Sequence, residues 1–153
     1  MEQLVDVRRF AGSRRHPQYG AEQLAASLAE QGIGYEHVAA LGGRRPVQPG
    51  SCNDGWQVAA FRGYADHLRS DEFARGLARL EELAVGRCVV VMCAEAQWWR
   101  CHRRLVSDAL LVRGWRVRHI GSDGRVEDHS LTPFAVVDDG RLSYPAEQTS
   151  LGL

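Results

Sequence analysis

The chain has 153 residues, 44% hydrophobic and 25% charged, and its 19 Arg residues balance 19 Asp and Glu residues to a net charge of zero. This length predicts a single domain, residues 1–153, built around one hydrophobic core. Neutrality excludes a global electrostatic attraction to nucleic acid but leaves room for a local basic patch. Because the sequence contains no Lys, it excludes mechanisms that need a catalytic Lys or a Schiff base.

The sequence carries no targeting or membrane signal. No window approaches the roughly 18 consecutive apolar residues of a membrane span, and the amino terminus lacks the apolar core of a signal peptide. We therefore expect a cytoplasmic protein with no membrane partner. In a reducing compartment, cysteines are expected to be thiols, thiolates or metal ligands rather than to form disulfides. The four here are Cys52, Cys88, Cys93 and Cys101.

The first third of the chain predicts strand, loop, helix and strand. An apolar run at residues 4–8 is typical of a buried strand, and a polar loop follows it. Apolar residues at helical spacing predict a helix over 21–31, which Gly32 ends. A second short strand is predicted at 34–38.

The middle of the chain predicts a long loop and two helices. No regular element fits residues 39–51, which are rich in Gly and Pro. Asn53 or Asp54 is expected to cap a helix that ends near Leu68, and Ser70 is expected to cap a second helix that ends near Leu83.

The stretch from Cys88 to Ile120 predicts strand 88–93, a loop rich in Trp and Arg, a helix closed by Gly114, and strand 115–120. The fold class is therefore α/β, with a small, mostly parallel sheet of four strands and helices on its faces. Turn signals follow at 121–124 and 138–140, and the second predicts a carboxyl-terminal β-hairpin. Residues 148–153 are expected to form a tail.

Ligands of an open α/β sheet bind beyond the carboxyl ends of its strands, where helix amino termini also favour anions. Right-handed crossovers place the loops after the first and third strands on the same edge. We therefore predict a crevice there for an anionic ligand. Its residues are Asp6, Arg8, Arg14, Cys93, Glu95, Cys101, His102 and Arg103, and Arg100, His37 and His119 are further ligand-binding candidates.

Several short motifs carry a family resemblance. They are Leu4-Val5-Asp6-Val7-Arg8 with Ser13-Arg14, Gly32-Ile33 with Tyr35, His37 and Leu41-Gly42-Gly43, Cys93-Ala94-Glu95-Ala96, Cys101-His102-Arg103, and Val117 with His119-Ile120. Over residues 4–130 the chain resembles the DUF488 family of bacterial and archaeal proteins, a domain of unknown function. Members of that family usually begin with a further strand, turn and helix before the Val-Asp-Val-Arg strand, and this sequence lacks that opening.

Cysteine-dependent catalysis is one hypothesis. Cys93 is the candidate nucleophile because a thiol before a helix amino terminus and among Arg residues favours the thiolate. Glu95, His102 and Asp6 are candidate proton carriers. The layout is also similar to rhodanese-type domains, but Trp99 stands where the related phosphatase signature has Arg, which disfavours phosphatase chemistry. The alternative is that Cys93 is a packed thiol and that Asp6 and Glu95 pair with Arg8 or Arg103.

A metal site is the weaker hypothesis. Cys93, Cys101 and His102 are suitable ligand types, and His37, His119 or Glu95 could complete a tetrahedron. However, adjacent residues at a helix start are expected to point about 100° apart, and there is no Cys-x-x-Cys pair. We therefore predict no metal and no other cofactor.

Nucleic-acid binding is a further hypothesis. Trp98, Trp99 and Arg100 combine stacking surfaces with phosphate partners. The leading prediction is thus a small enzyme-like domain that binds an anionic small molecule, nucleotide or nucleic acid. The alternative is a non-catalytic module that binds nucleic acid or protein, in which the same residues form a rigid polar scaffold. Homo-oligomer formation stays open.

Overall fold

The computed structural model describes residues 1–147, so the predicted tail at 148–153 lies outside the described residues. This part of the chain divides into two compact units, one made of Met1–Gly43 and Ser70–Ala96 and the other of Arg44–Arg69 and the chain from Gln97 onward. The predicted α/β class is confirmed. Within residues 1–147, no helix combines the length and apolar character needed to cross a membrane.

The helices are α1 (Ala21–Glu30), α2 (Ala59–His67), α3 (Asp71–Ala84) and α4 (Arg103–Val112). The strands are β1 (Gln3–Asp6), β2 (Gly34–His37), β3 (Val89–Met92), β4 (Arg118–Ile120), β5 (Val126–Asp128), β6 (Val136–Asp138) and β7 (Arg141–Ser143).

The first unit contains a parallel sheet in the order β2-β1-β3. Its central strand β1 is buried along its whole length, which suits the apolar residues Leu4 and Val5. Asp6 is in register with His37 on one side and with Met92 on the other. All three strands therefore end at one edge of the sheet.

Two predicted helix signals in this unit are confirmed. Gly32, just beyond α1, has a φ of 71°, a left-handed conformation that glycine adopts without strain. The Ser70 hydroxyl accepts a hydrogen bond from the Phe73 amide at 3.1 Å and so caps α3. The buried face of α3 is the predicted one, with Phe73, Leu77, Leu80 and Leu83.

The second unit holds α2, α4 and two antiparallel hairpins around an aromatic core. The Trp56 ring lies 4.8 Å from that of Phe134 and 5.2 Å from that of Tyr144, measured between centroids. Leu105 and Val106 of α4 are also buried. Aromatic rings therefore supply much of the apolar surface that this unit buries.

The predicted fourth strand exists but has a different partner. Strand β4 pairs antiparallel with β5, not with the parallel sheet. The reason is the turn at 121–124, which returns the chain directly from β4 into β5. The Gly121 amide donates to the Arg125 carbonyl at 2.8 Å, and Gly124 has a φ of 80°.

The hairpin predicted around residues 138–140 is confirmed as β6 and β7. Both turn residues, Asp139 and Gly140, have positive φ values, as a two-residue hairpin turn of type I′ requires.

The predicted start of α2 was wrong, because the helix begins at Ala59 rather than near Asn53. The Asn53 side chain is used elsewhere. Its Oδ1 accepts from the Tyr144 amide at 3.0 Å, and its Nδ2 donates to Asp66 at 2.7 Å. Asn53 thus ties the carboxyl-terminal hairpin segment to α2 instead of capping a helix.

Candidate functional site

The carboxyl edge of the sheet carries a closed polar network around Asp6, whose side chain is fully buried. The Arg8 guanidinium donates to Asp6 through Nε at 2.9 Å and through Nη2 at 2.6 Å. The Tyr35 hydroxyl donates to Asp6 Oδ2 at 2.5 Å. Arg8 Nη2 also donates to the Tyr19 carbonyl at 2.8 Å. This network links β1, β2 and the loop that precedes α1.

The network changes the acidity of two of its members. Burial acts to raise the pKa of Asp6, but hydrogen bonds from Arg8 and Tyr35 outweigh it and hold the pKa below its ordinary value. Burial and the hydrogen bond to Asp6 raise the pKa of Tyr35 to about 12. At neutral pH the carboxylate is therefore ionised and the phenol protonated.

The other predicted site residues of the first unit lie around the same edge. His37 ends β2, and its Nε2 donates to the Arg8 carbonyl at 2.6 Å. The Val7 amide donates to the Met92 carbonyl at 2.9 Å, so Cys93 follows directly at the edge where Asp6 ends β1. Cys93 is half-buried, whereas Glu95 and Arg14 are exposed.

In the second unit, Cys101 lies two residues before the start of α4 and is only 5% exposed. Its Sγ accepts hydrogen bonds from the Arg103 amide at 3.5 Å and from Arg103 Nε at 3.4 Å. His102 Nδ1 lies 3.5 Å from the same sulfur. A helix amino terminus, a guanidinium group and an imidazole thus surround one thiol.

The expectation that Cys101 and His102 diverge was wrong. Cys101 has an extended backbone, with φ −123° and ψ 152°, while His102 is already helical, so their ligand atoms come within 3.5 Å. Tetrahedral zinc, with bonds of about 2.3 Å to sulfur and 2.0–2.1 Å to nitrogen, needs an S···N separation of about 3.6 Å. The pair could therefore supply two ligands to one ion.

The loop before Cys101 presents cationic and aromatic side chains. Arg100 and Trp99 are exposed, and Trp98 is half-buried. Trp98 stacks on His119 with ring centroids 3.8 Å apart and an interplanar angle of 1°. Its Nε1 donates to Glu127 at 3.0 Å. Trp98 therefore holds the loop against the β4–β5 hairpin, and Trp99 is the ring available at the surface.

His119 belongs to a buried chain of hydrogen bonds. Its Nε2 lies 2.8 Å from His129 Nδ1, and His129 Nε2 lies 2.7 Å from Asp108 Oδ1. Asp108 also accepts from the Thr132 amide at 3.1 Å and from the Tyr144 hydroxyl at 2.7 Å. The Asp108 and His129 side chains are fully buried.

Sequence reasoning singled out His119 but missed its partners. One signal was available for Asp108, because it lies three residues after Leu105 on the apolar face of α4, where a charged residue requires a buried partner. Tyr35 belongs to the family motif, but its hydrogen bond to Asp6 was not predicted. No local pattern indicates His129, Thr132 or Tyr144, since they lie 21, 24 and 36 residues beyond Asp108.

The comparisons with known proteins agree with the motif resemblance. The family model described as "Domain of unknown function DUF488" matches residues 1–110. No curated protein and no solved structure matches the chain. The matched residues include the whole of the first unit and the start of α4 with Cys101, His102 and Arg103. Since they make up more than two thirds of the sequence, the chain belongs to the DUF488 family.

Proposed function

We propose that the protein is a small enzyme-like domain that binds an anionic ligand and presents it to a cysteine thiolate. The observation that carries this proposal is the environment of Cys101, whose sulfur accepts hydrogen bonds from two N–H groups of Arg103 at the start of α4. Hydrogen-bond donors, a guanidinium charge and a helix dipole all stabilise a thiolate relative to a thiol. The neighbouring His102 supplies a proton partner within reach of the sulfur.

The anion-binding part of the proposal depends on Arg side chains. Arg100 is exposed one residue before Cys101, and Arg103 is half-buried beside the sulfur. Planar guanidinium groups suit carboxylate and phosphate oxygens, which they bind in a bidentate manner. We assign these two residues as the anion clamp of the second unit.

The first unit contributes a second candidate thiol. Cys93 is half-buried, and is thus more accessible than Cys101, and it follows β3 directly. Glu95 and Arg14 are the exposed charged residues that we assign to proton transfer and anion binding at that edge. We assign His37 and Asp6 to the same edge, as polar groups that hold the ends of β1 and β2 in place.

Paired alkylating reagents test this proposal. Iodoacetate is anionic and iodoacetamide neutral, and they are otherwise similar, so the ratio of their rates at one cysteine reports the local positive charge. We expect the ratio at Cys101 in the folded protein to exceed that in the urea-unfolded chain by about fivefold, because one nearby cation is worth about 1 kcal/mol. Peptide mass spectrometry reads all four cysteines in one experiment.

Arg103→Gln should remove most of this preference, whereas the control Arg69→Gln, at an exposed Arg, should leave it unchanged. A preference at Cys93 alone would move the reactive thiol to the sheet edge. Equal ratios in the folded and unfolded chains at both cysteines would contradict the proposal.

A second candidate function is a non-catalytic binding module for nucleic acid or a protein. The closed network of Asp6, Arg8 and Tyr35 favours it, because these groups satisfy one another's hydrogen bonds and lock β1 to β2. Under this alternative the exposed Trp99 and Arg100 contact the partner. It predicts no rate advantage at any cysteine.

A further inference from the structure

The chain of hydrogen bonds from Asp108 to His119 has a defined direction. The Asp108 oxygens accept hydrogen bonds from the Thr132 amide and the Tyr144 hydroxyl. An ionised carboxylate has no proton of its own to donate, so its remaining neighbour must also be a donor. His129 must therefore carry its proton on Nε2 to donate to Asp108. A neutral His129 then accepts at Nδ1, which requires His119 to donate from Nε2.

This direction leaves one nitrogen of His119 without a proton. Its Nδ1 makes no hydrogen bond within residues 1–147, and among those residues the only fully enclosed side-chain nitrogen or oxygen without a partner is Nε1 of Trp56. Nδ1 of His119 is therefore not fully enclosed, although the residue as a whole is only 7% exposed. Trp98 covers one face of the ring and fixes its orientation.

We propose that His119 is a proton-transfer residue, with His129 and Asp108 as positioning residues, for a ligand that carries a protic oxygen or sulfur. Nδ1 accepts the proton of the ligand's O–H or S–H bond, and the bonding electron pair stays on oxygen or sulfur. The Nε2 proton of His119 shifts toward His129 Nδ1. The resulting positive charge then lies beside the Asp108 carboxylate. This inference goes beyond the proposed thiol chemistry and does not depend on either cysteine.

The charges around His119 are compatible with this role. Burial first, and then His129, lower the pKa of His119 to about 4, and Arg103 adds to this. Glu127 and Asp108 act in the opposite direction. The ring is therefore neutral at pH 7, which leaves the lone pair of Nδ1 available to a hydrogen-bond donor.

A purely structural role would use the same contacts, so the test needs a readout that packing does not move. Diethyl pyrocarbonate acylates unprotonated, accessible imidazole nitrogens and serves as the probe. In the folded wild-type protein at pH 7, peptide mass spectrometry should find His119 modified and His129 protected, since the His129 side chain is fully buried with both nitrogens occupied.

The Asp108→Asn substitution removes the negative charge of the carboxylate and keeps the shape of the side chain. The Thr132 amide can only donate, so it keeps the Asn oxygen at the Oδ1 position, and the His129 tautomer is retained. We expect the acylation rate of His119 to fall at least about fivefold, because the carboxylate no longer stabilises the charge that the relay receives. The control Tyr144→Phe keeps the carboxylate and should not slow the reaction.

Protection of His119 in the folded wild-type protein would overturn the proposal, as would an Asp108→Asn variant that reacts as fast as wild type. If that variant does not fold, nitrogen-15 spectra of the wild-type imidazoles decide. The proposal requires a His119 that is protonated on Nε2 and bare on Nδ1, and the opposite tautomer would refute it.

Discussion

Asp6→Ala is expected to lower the free energy of unfolding by about 3–5 kcal/mol, because it leaves a buried cation without its partner. Arg8 is only 7% exposed, and the guanidinium directs Nε and Nη2 at Asp6. The Tyr35 hydroxyl loses its acceptor in the same substitution. Urea denaturation followed by circular dichroism measures the change.

Glu36→Ala is the matched control, since it removes the carboxylate of a more exposed ion pair. Glu36 pairs with Arg79, and their side chains are 32% and 46% exposed, respectively. We expect a cost of about 0–1 kcal/mol there. Equal losses in the two variants would contradict a special role for the Asp6 network.

The same network predicts a pH dependence. The pKa of Asp6 is lower in the folded protein than its ordinary value of 3.8, so its stabilising contribution is present above that value. It is lost as the pH falls through the lower, folded value. The stability difference between wild type and Asp6→Asn should therefore shrink in strong acid and stay constant between pH 5 and pH 7.

Asp108→Ala is expected to have an effect of similar size, about 3–5 kcal/mol, because it leaves three buried donors without an acceptor. These donors are His129 Nε2, the Thr132 amide and the Tyr144 hydroxyl. They come from two separate segments, the 129–132 loop and the residue that follows β7, so the loss should loosen the whole second unit. Thermal and urea unfolding both measure it.

Asp128→Ala provides the control for this variant, because Asp128 pairs with Arg116 where both side chains are largely exposed. It should change the free energy of unfolding by less than about 1 kcal/mol. An Asp108→Ala variant as stable as wild type would show that the carboxylate is dispensable for the fold.

Local signals predicted much of the fold. Ser70 caps α3 because a hydroxyl satisfies a free amide wherever a helix begins, and the Asp139–Gly140 turn follows from two positive φ values. These features depend on a few neighbouring residues. The strand β1 and its carboxyl end at Asp6 were predictable for the same reason.

Features that depend on distant residues were not predictable. The β4–β5 pairing is the exception, because the local turn at 121–124 signals it and only the short length of the strands hid it. Asn53 is a residue type that often caps helices, but its side chain instead accepts a hydrogen bond from the amide of Tyr144, 91 residues later. In the candidate site, Arg103 beside Cys101 was evident from the sequence, whereas the partners of His119 were not.

The most direct measurement of the central claim is the ultraviolet absorbance of the Cys101 thiolate at 240 nm as a function of pH, taken as wild type minus Cys101→Ser. A free cysteine ionises near pH 8.5. We predict that the thiolate of Cys101 is formed at a lower pH than this, and that Arg103→Gln moves its formation back toward the free value. A difference spectrum that appears only at or above pH 8.5 would contradict the account.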